Sequence, residues 1–265
     1  MTHCHCSMCQ KAHGAPFATY AEAPSKLFSW TAGEEAITIY ESSPGFERAF
    51  CRYCGSVAPI MDNMSEGGQG DVFLPAGCLL EDPGVRAHTH IFADSHAPWH
   101  PIEDDLPQHI GYEHPEDGPT IDRPKPGQSC NGVLNGSCLC GEIAYEVRSP
   151  IMAVHNCHCS RCRRARAAAH TTNGFTEING VVFTRGEDKL VTYKLPEARF
   201  FTQVFCPRCG SGMPRKDPER EIAIIPFGSL DVDPGRGADD HIFTASKAPW
   251  YEIPGDLPQF EGGPN

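Results

Sequence analysis

No run in the 265-residue chain approaches the ~20 apolar residues that cross a bilayer; the best, "IAIIPFG" from Ile222, is strand-sized. The start, "MTHCHCSMCQ", lacks the basic n-region and apolar h-region of a secretory signal. Positive charge is also scarce. Lys and Arg total 22 against 34 Asp and Glu, and the net charge of −12 repels a phosphate backbone or an anionic lipid surface. These deficits argue against a membrane or nucleic-acid partner and for a cytoplasmic protein.

Cysteine, by contrast, is abundant: fourteen residues, most of them in tight groups. In a reducing compartment such grouping points to metal ligands rather than disulfides.

The groups recur because the chain is written twice. "CHCSMCQKAHGAPFAT" from Cys4 returns as "CHCSRCRRARAAAHTT" from Cys157, and "FCRYCGSVAP" from Phe50 returns as "FCPRCGSGMP" from Phe205. "HIFADSHAPWHPIEDDLPQ" from His90 returns as "HIFTASKAPWYEIPGDLPQ" from His241. Similar offsets throughout imply tandem copies: a first domain over 1–112, a Pro-rich linker over 113–129 ("EHPEDGPTIDRPKPGQ"), and a second domain over 130–265. The copies are unequal. Only the second has "NGSCLCGEIAYEVRSPIMAVHN" ahead of its C-x-C-x-x-C. The expectation is that copy one lost this segment, through a start placed downstream of the natural one or through fragmentation.

Local patterns are β. "GEIAYEV" puts Ile143, Tyr145 and Val147 on one face, while "AITIYES", "KLVTYKL", "GDVFLPAG" and "EIAIIPFG" are short β-rich runs between turn residues. "SMCQKAHGA" and "SRCRRARAAAH" read as single helical turns. The expected fold is all-β, duplicated and pinned by metal.

In copy two, the C-x-C of Cys138 and Cys140 and the C-x-x-C of Cys206 and Cys209 can deliver four thiolates to a tetrahedral Zn²⁺. Such a saturated site is structural. Cys157, Cys159 and Cys162 form a three-thiolate loop, which leaves one corner of a tetrahedral ion open for water, a thiol or a carbonyl. The alternative is closure by His155, His158 or His170. His158 itself reads as a supporting or surface group. Arg161, Arg163, Arg164 and Arg166 either attract a carboxylate-bearing thiol such as glutathione or solvate a turn; copy one has only Lys11 nearby. Cys4, Cys6 and Cys9 repeat the three-thiolate loop. Cys51 and Cys54 lack a C-x-C partner, and Cys78 and Cys130 read as ordinary thiols.

With "GSCLCGEIAYEV", "NCHCSRCRRA" and "FCPRCGSGMP" in this order, the chain resembles the glutathione-dependent formaldehyde-activating enzyme (GFA) and centromere protein V family. The resemblance covers essentially all of copy two, and copy one from its second motif onward. It implies two tandem zinc-bound β-tent domains. It also implies a structural zinc on Cys138, Cys140, Cys206 and Cys209, and catalytic zincs on Cys157, Cys159 and Cys162 and on Cys4, Cys6 and Cys9. Cys51 and Cys54 become half of a second structural site. The implied activity is that of a carbon–sulfur lyase joining formaldehyde to glutathione as S-hydroxymethylglutathione. A zinc-stabilised module that binds a thiol or a protein without turnover is the competing reading, for which Trp99 and Trp250 in "HAPWH" and "KAPWY" could offer aromatic surfaces, although a tryptophan there is more often core.

Overall fold

The computed structural model describes residues 1–61, 70–114, 126–129 and 132–264. The repeat folds into two five-stranded sheets of the same plan. In the first, the order is Ile60–Met61, Asp71–Pro75, Ala18–Pro24, Thr2–Cys4, Thr89–Ile91; in the second it is Arg215–Asp217, Ile222–Pro226, Thr171–Glu177, Ala153–Cys157, Asp240–Ile242. Registers agree residue for residue. His3 lies opposite Thr19 in an antiparallel pair and His90 in a parallel pair, just as Asn156 lies opposite Thr172 and His241.

Smaller sheets and their turns carry Cys51 and Cys54 in the first half and Cys138, Cys140, Cys206 and Cys209 in the second. Ile37–Ser43, Phe46–Cys51 and Val57–Ala58 form a three-stranded meander in the first half, matched by the hairpin Val191–Lys194 and Thr202–Phe205 in the second. The second half adds Leu134–Ser137, Ala144–Val147 and Val181–Arg185. Here the alternation in "GEIAYEV" has its expected result: Ile143, Tyr145 and Val147 are all buried. The chain is mostly β, as the sequence predicts, and among the described residues only two α-helices occur: α1 (Ser7–His13) and α2 (Ser160–Arg166). Each runs about two turns rather than the single turn expected. Of the stretch read as linker, residues 115–125 lie outside the described residues; Gly127–Gln128 pairs in parallel with Val232–Asp233.

The halves interlock. Trp99 packs on Phe227 in the core built around Ile143, Tyr145 and Ile225, while Trp250 and Tyr251 pack with Phe17 and Ala76. Both tryptophans are buried, 5% and 3% exposed, so the aromatic surfaces entertained for a binding module do not exist. They are spent on joining the halves, since burying an indole removes more apolar area from water than burying any other side chain. Backbones also touch: a Cβ on Gly228 would sit 2.4 Å from the carbonyl oxygen of Gln10, in α1, and one on Gly77 would sit 2.2 Å from the Ala168 nitrogen, just after α2.

Candidate metal centres

Each C-x-C-x-x-C loop is built by a strand running into a helix. Cys4 ends the strand Thr2–Cys4 and Cys6 is the N-cap of α1, its sulfur accepting from the Cys9 amide at 3.4 Å; Cys157 and Cys159 repeat this with the Cys162 amide at 3.4 Å. Strand alternation sends the intervening histidine to the other side. The sulfurs of Cys4, Cys6 and Cys9 lie within 4.8 Å of one another, as do those of Cys157, Cys159 and Cys162. No histidine joins either group among the described residues. His155 instead meets Asp240 at 2.7 Å, and His158 meets His241 at 2.8 Å. His158 is fully buried rather than at the surface.

The four-cysteine group gathers from two hairpins. Cys138 and Cys140 follow the strand Leu134–Ser137, and Cys206 and Cys209 follow Thr202–Phe205. Their sulfurs also fall within 4.8 Å, with Cys138 and Cys140 3.4 Å apart and Cys140 and Cys206 3.7 Å apart. A tetrahedron with metal–sulfur bonds of about 2.3 Å has edges of about 3.8 Å, so four sulfurs at this spacing suit Zn²⁺. The turn of the second pair needs a glycine: Gly210 has φ +72°, and the ring of Phe50 from the other half covers it.

Sulfurs this crowded cannot all ionise without a cation. In the first loop Cys9 is driven well below the ordinary thiol range by hydrogen bonds from Cys4 and Cys6, while Cys4 is driven well above it by its own hydrogen bonds with Cys6 and Cys9 and by burial. In the second, hydrogen bonds from Cys157 and Cys162 hold Cys159 down at about 3, while Cys157 is raised. A divalent cation removes this conflict.

The two loops differ in what surrounds them. Arg48, on the strand Phe46–Cys51, aims both terminal nitrogens at Cys9 Sγ, 3.6 Å from each, and steadies its Nε on Ser42 Oγ at 3.1 Å. His13 holds the Tyr20 hydroxyl at 2.8 Å, and a cleft lined by Ala12, Tyr20, Arg48 and Phe50 opens beside them. The position of Arg48 is Gln203 in the second half, where it binds the Ala165 carbonyl at 3.2 Å. There Arg163 and Arg166 are buried, Arg163 donating to the Ser246 carbonyl at 3.1 Å, while Arg161 and Arg164 are exposed. Lys11 turns away from its own cysteines to Ser137 and Asp231 of the other half.

Beneath both loops lies a layer of histidines. His5 meets His90 at 2.8 Å and His90 meets Asp104 at 2.8 Å; the His170 ring lies tilted against His158, centroids 5.1 Å apart, and His100, 5.4 Å apart, with neither of its ring nitrogens bonded. Burial in this layer holds the His100 and His158 rings down at about 3, and pushes His170 well below the ordinary imidazole range.

Cys51 and Cys54 sit together on the meander but form no group with a third ligand among the described residues. Cys78 donates to the Val57 carbonyl at 3.3 Å, as an ordinary thiol would, and Cys130 lies outside the described residues.

The profile of the glutathione-dependent formaldehyde-activating enzyme family matches residues 1–95 and again 133–246. The chain belongs to this family. The double match coincides with the two sheets and with both three-cysteine loops. A Halomonas elongata protein named "Putative glutathione-dependent formaldehyde-activating enzyme" is 28% identical over 131 residues, which span 46% of this chain and 81% of that protein. The crystal structure of a Rhodobacter sphaeroides protein aligns over 34% of this chain and 82% of its own, at 21% identity and a TM-score of 0.29, a likeness too slight to bear on the fold.

Arg48 and the histidine layer escape sequence reasoning. The thirteen histidines were the available signal, and the pairing of His5 with His90 and His158 with His241 follows the repeat.

Proposed function

We propose that this GFA-family chain is a zinc-dependent enzyme of carbon–sulfur lyase type, joining formaldehyde and glutathione as S-hydroxymethylglutathione and reversing that step. The observation that supports the reading is the pair of three-sulfur loops, neither joined by a fourth cysteine, histidine or carboxylate among the described residues, in a chain that also gathers a group of four sulfurs. Cys138, Cys140, Cys206 and Cys209 would hold a structural zinc; Cys4, Cys6 and Cys9, and Cys157, Cys159 and Cys162, would each hold a catalytic one.

Zinc, when bound, supplies Lewis acidity and a lowered pKa for a thiol. The chain supplies the rest. Its three thiolates leave the fourth corner to the substrate. Arg48 offsets charge at the first loop, and exposed Arg161 and Arg164 flank the second, where a tripeptide thiol with two carboxylates would be drawn. The thiol sulfur adds to the aldehyde carbon and its proton ends on the new hydroxyl, giving a hemithioacetal. The chain is read as two tandem β-tent domains, 1–112 and 130–265, working in the cytoplasm. Among the described residues no helix is long and apolar enough to cross a membrane.

The test is exchange spectroscopy between formaldehyde hydrate and S-hydroxymethylglutathione with metal-loaded protein. Acceleration beyond the spontaneous rate, lost in Cys159→Ser combined with Cys6→Ser, supports the reading. An unchanged rate with three metals bound per chain would leave the competing thiol-binding role.

A further inference from the structure

The turn at Cys51 has the backbone of a metal knuckle. The Cys51 amide donates to the Ser56 carbonyl at 2.9 Å and the Gly55 amide to the Cys51 carbonyl at 2.8 Å; the matching bonds at Cys206 are 3.0 and 2.9 Å. Cys54 Sγ stands 3.3 Å from Ser56 Oγ, as Cys209 Sγ stands 3.3 Å from Ser211 Oγ.

What faces the two turns differs. Cys206 and Cys209 are buried against Cys138 and Cys140. Cys51 and Cys54 are both partly exposed and meet no third cysteine, histidine or carboxylate within metal-binding range among the described residues. Nor does this turn need a metal to keep its shape. The meander supplies ladder bonds on Ile37–Ser43 and Val57–Ala58, and the Phe205 ring of the other half lies over Gly55, where a Cβ would come within 2.5 Å of it. The residues therefore do not fit the second structural zinc that the family resemblance implies.

We propose that Cys51 and Cys54 are a reversible redox dithiol, oxidised by small anionic disulfides of the glutathione class. A four-residue turn brings its end Cα atoms within about 7 Å, inside the range a disulfide spans. The thiols are close enough to interact, and burial together with that contact raises Cys54, so the first attack falls to Cys51. Between them Arg52 and Tyr53 are exposed, Tyr53 at 66%, giving the incoming disulfide open access and a cation for its carboxylates.

The exchange balances without another reactant. One cysteine thiolate attacks the disulfide, forming a mixed disulfide and expelling one small thiolate. The second cysteine then attacks the protein sulfur of that mixed bond, forming Cys51–Cys54 and expelling the other. Two electrons pass from the protein to the disulfide, and the two cysteine protons end on the two released thiols.

The test uses the full, metal-loaded chain in glutathione disulfide in excess over glutathione, followed by blocking of free thiols and tryptic mapping. Trypsin cuts after Arg48 and Arg52, so the bond would join peptide 49–52 to peptide 53–86. The expected result is that linked pair in wild type and in Cys78→Ser, reversed by excess glutathione, with the metal content unchanged. Two results would overturn the proposal. One is a reduced pair throughout, or a link that disappears in Cys78→Ser. The other is loss of one metal per chain in Cys51→Ser with Cys54→Ser, which would make the pair ligands. None of these readouts depends on lyase activity.

Discussion

Arg48 reaches Cys9 from 39 residues away, both terminal guanidinium nitrogens 3.6 Å from the sulfur. Three thiolates around a divalent cation carry net −1, and in a buried setting that charge needs an opposite neighbour. Among the described residues no guanidinium is hydrogen-bonded to a sulfur of the second loop: Gln203 occupies the equivalent place and bonds elsewhere, and the buried Arg163 and Arg166 act on Cys159 and Cys162 only through space. The two three-cysteine loops are therefore chemically unequal.

Arg48→Met should weaken metal binding at Cys4, Cys6 and Cys9 by about 10–100-fold, the usual effect of removing a group that supports a ligand. Chelator competition in a Cys159→Ser background leaves this site and the four-cysteine group, and the same titration with Cys6→Ser added gives the four-cysteine group alone for subtraction. Equal affinity with and without Arg48 would mean that the fork serves the fold alone.

The histidine layer makes stability fall with acid. His100 is held down at about 3 by burial, and His170 well below an ordinary imidazole. Below an unfolded pKa of about 6.5 the unfolded chain takes up protons that the folded chain refuses. Stability is thus complete above about pH 6.5 and drops as pH falls towards 3, at up to about 1.4 kcal/mol per pH unit for each such ring. His170→Phe, which copies Phe17 of the first half, should reduce that slope by about one proton and raise stability at pH 5 by removing a buried ring with no bonded nitrogen. Urea unfolding of both proteins from pH 7 to 5 measures the difference, with metal release common to the two.

Some of this was legible in the sequence and some was not, for reasons that differ by residue. Ile143, Tyr145 and Val147 alternate, and one buried face follows from period two. The cysteine loops are legible because all three ligands lie within six residues. Arg48 is not, since it meets Cys9 only when a meander folds over a helix, and its counterpart in the repeat is Gln203. Trp99 and Trp250 are core, as a large indole more often is, but the sequence does not show that each packs in a cluster shared with the other half. The repeat is legible from its motifs; that the largest buried clusters draw on both halves is not, because neither copy alone shows which face the other covers.

Lys11 tests how firmly the halves are joined. Its ammonium donates to the Ser137 carbonyl at 2.8 Å and the Ser137 hydroxyl at 3.0 Å, and pairs with Asp231, with only 17% of the side chain exposed. Lys11→Met leaves the carboxylate without its cation and should cost about 1–3 kcal/mol. Because the cores are shared, thermal unfolding should shift down as one transition. Two separated transitions would show that the halves melt independently.

Gly210 tests the four-cysteine group. Its φ of +72° is left-handed backbone, which costs a residue with a Cβ about 1–2 kcal/mol, and the Cβ would also come 2.6 Å from the Phe50 ring. Relieving that clash means moving a core side chain, at about 1–3 kcal/mol more. The turn carries both Cys206 and Cys209, so the strain falls on two of four ligands. Gly210→Ala should lower stability by about 2–5 kcal/mol and speed metal loss to a chelator from this group. Gly210→Ala with Phe50→Leu should recover part of the metal retention, since the smaller side chain leaves the backbone cost but relieves the contact. If the double variant loses metal as fast as the single one, the φ angle alone governs the turn. If neither differs from wild type, the packing of Phe50 on this turn is not what sets the geometry of Cys206 and Cys209.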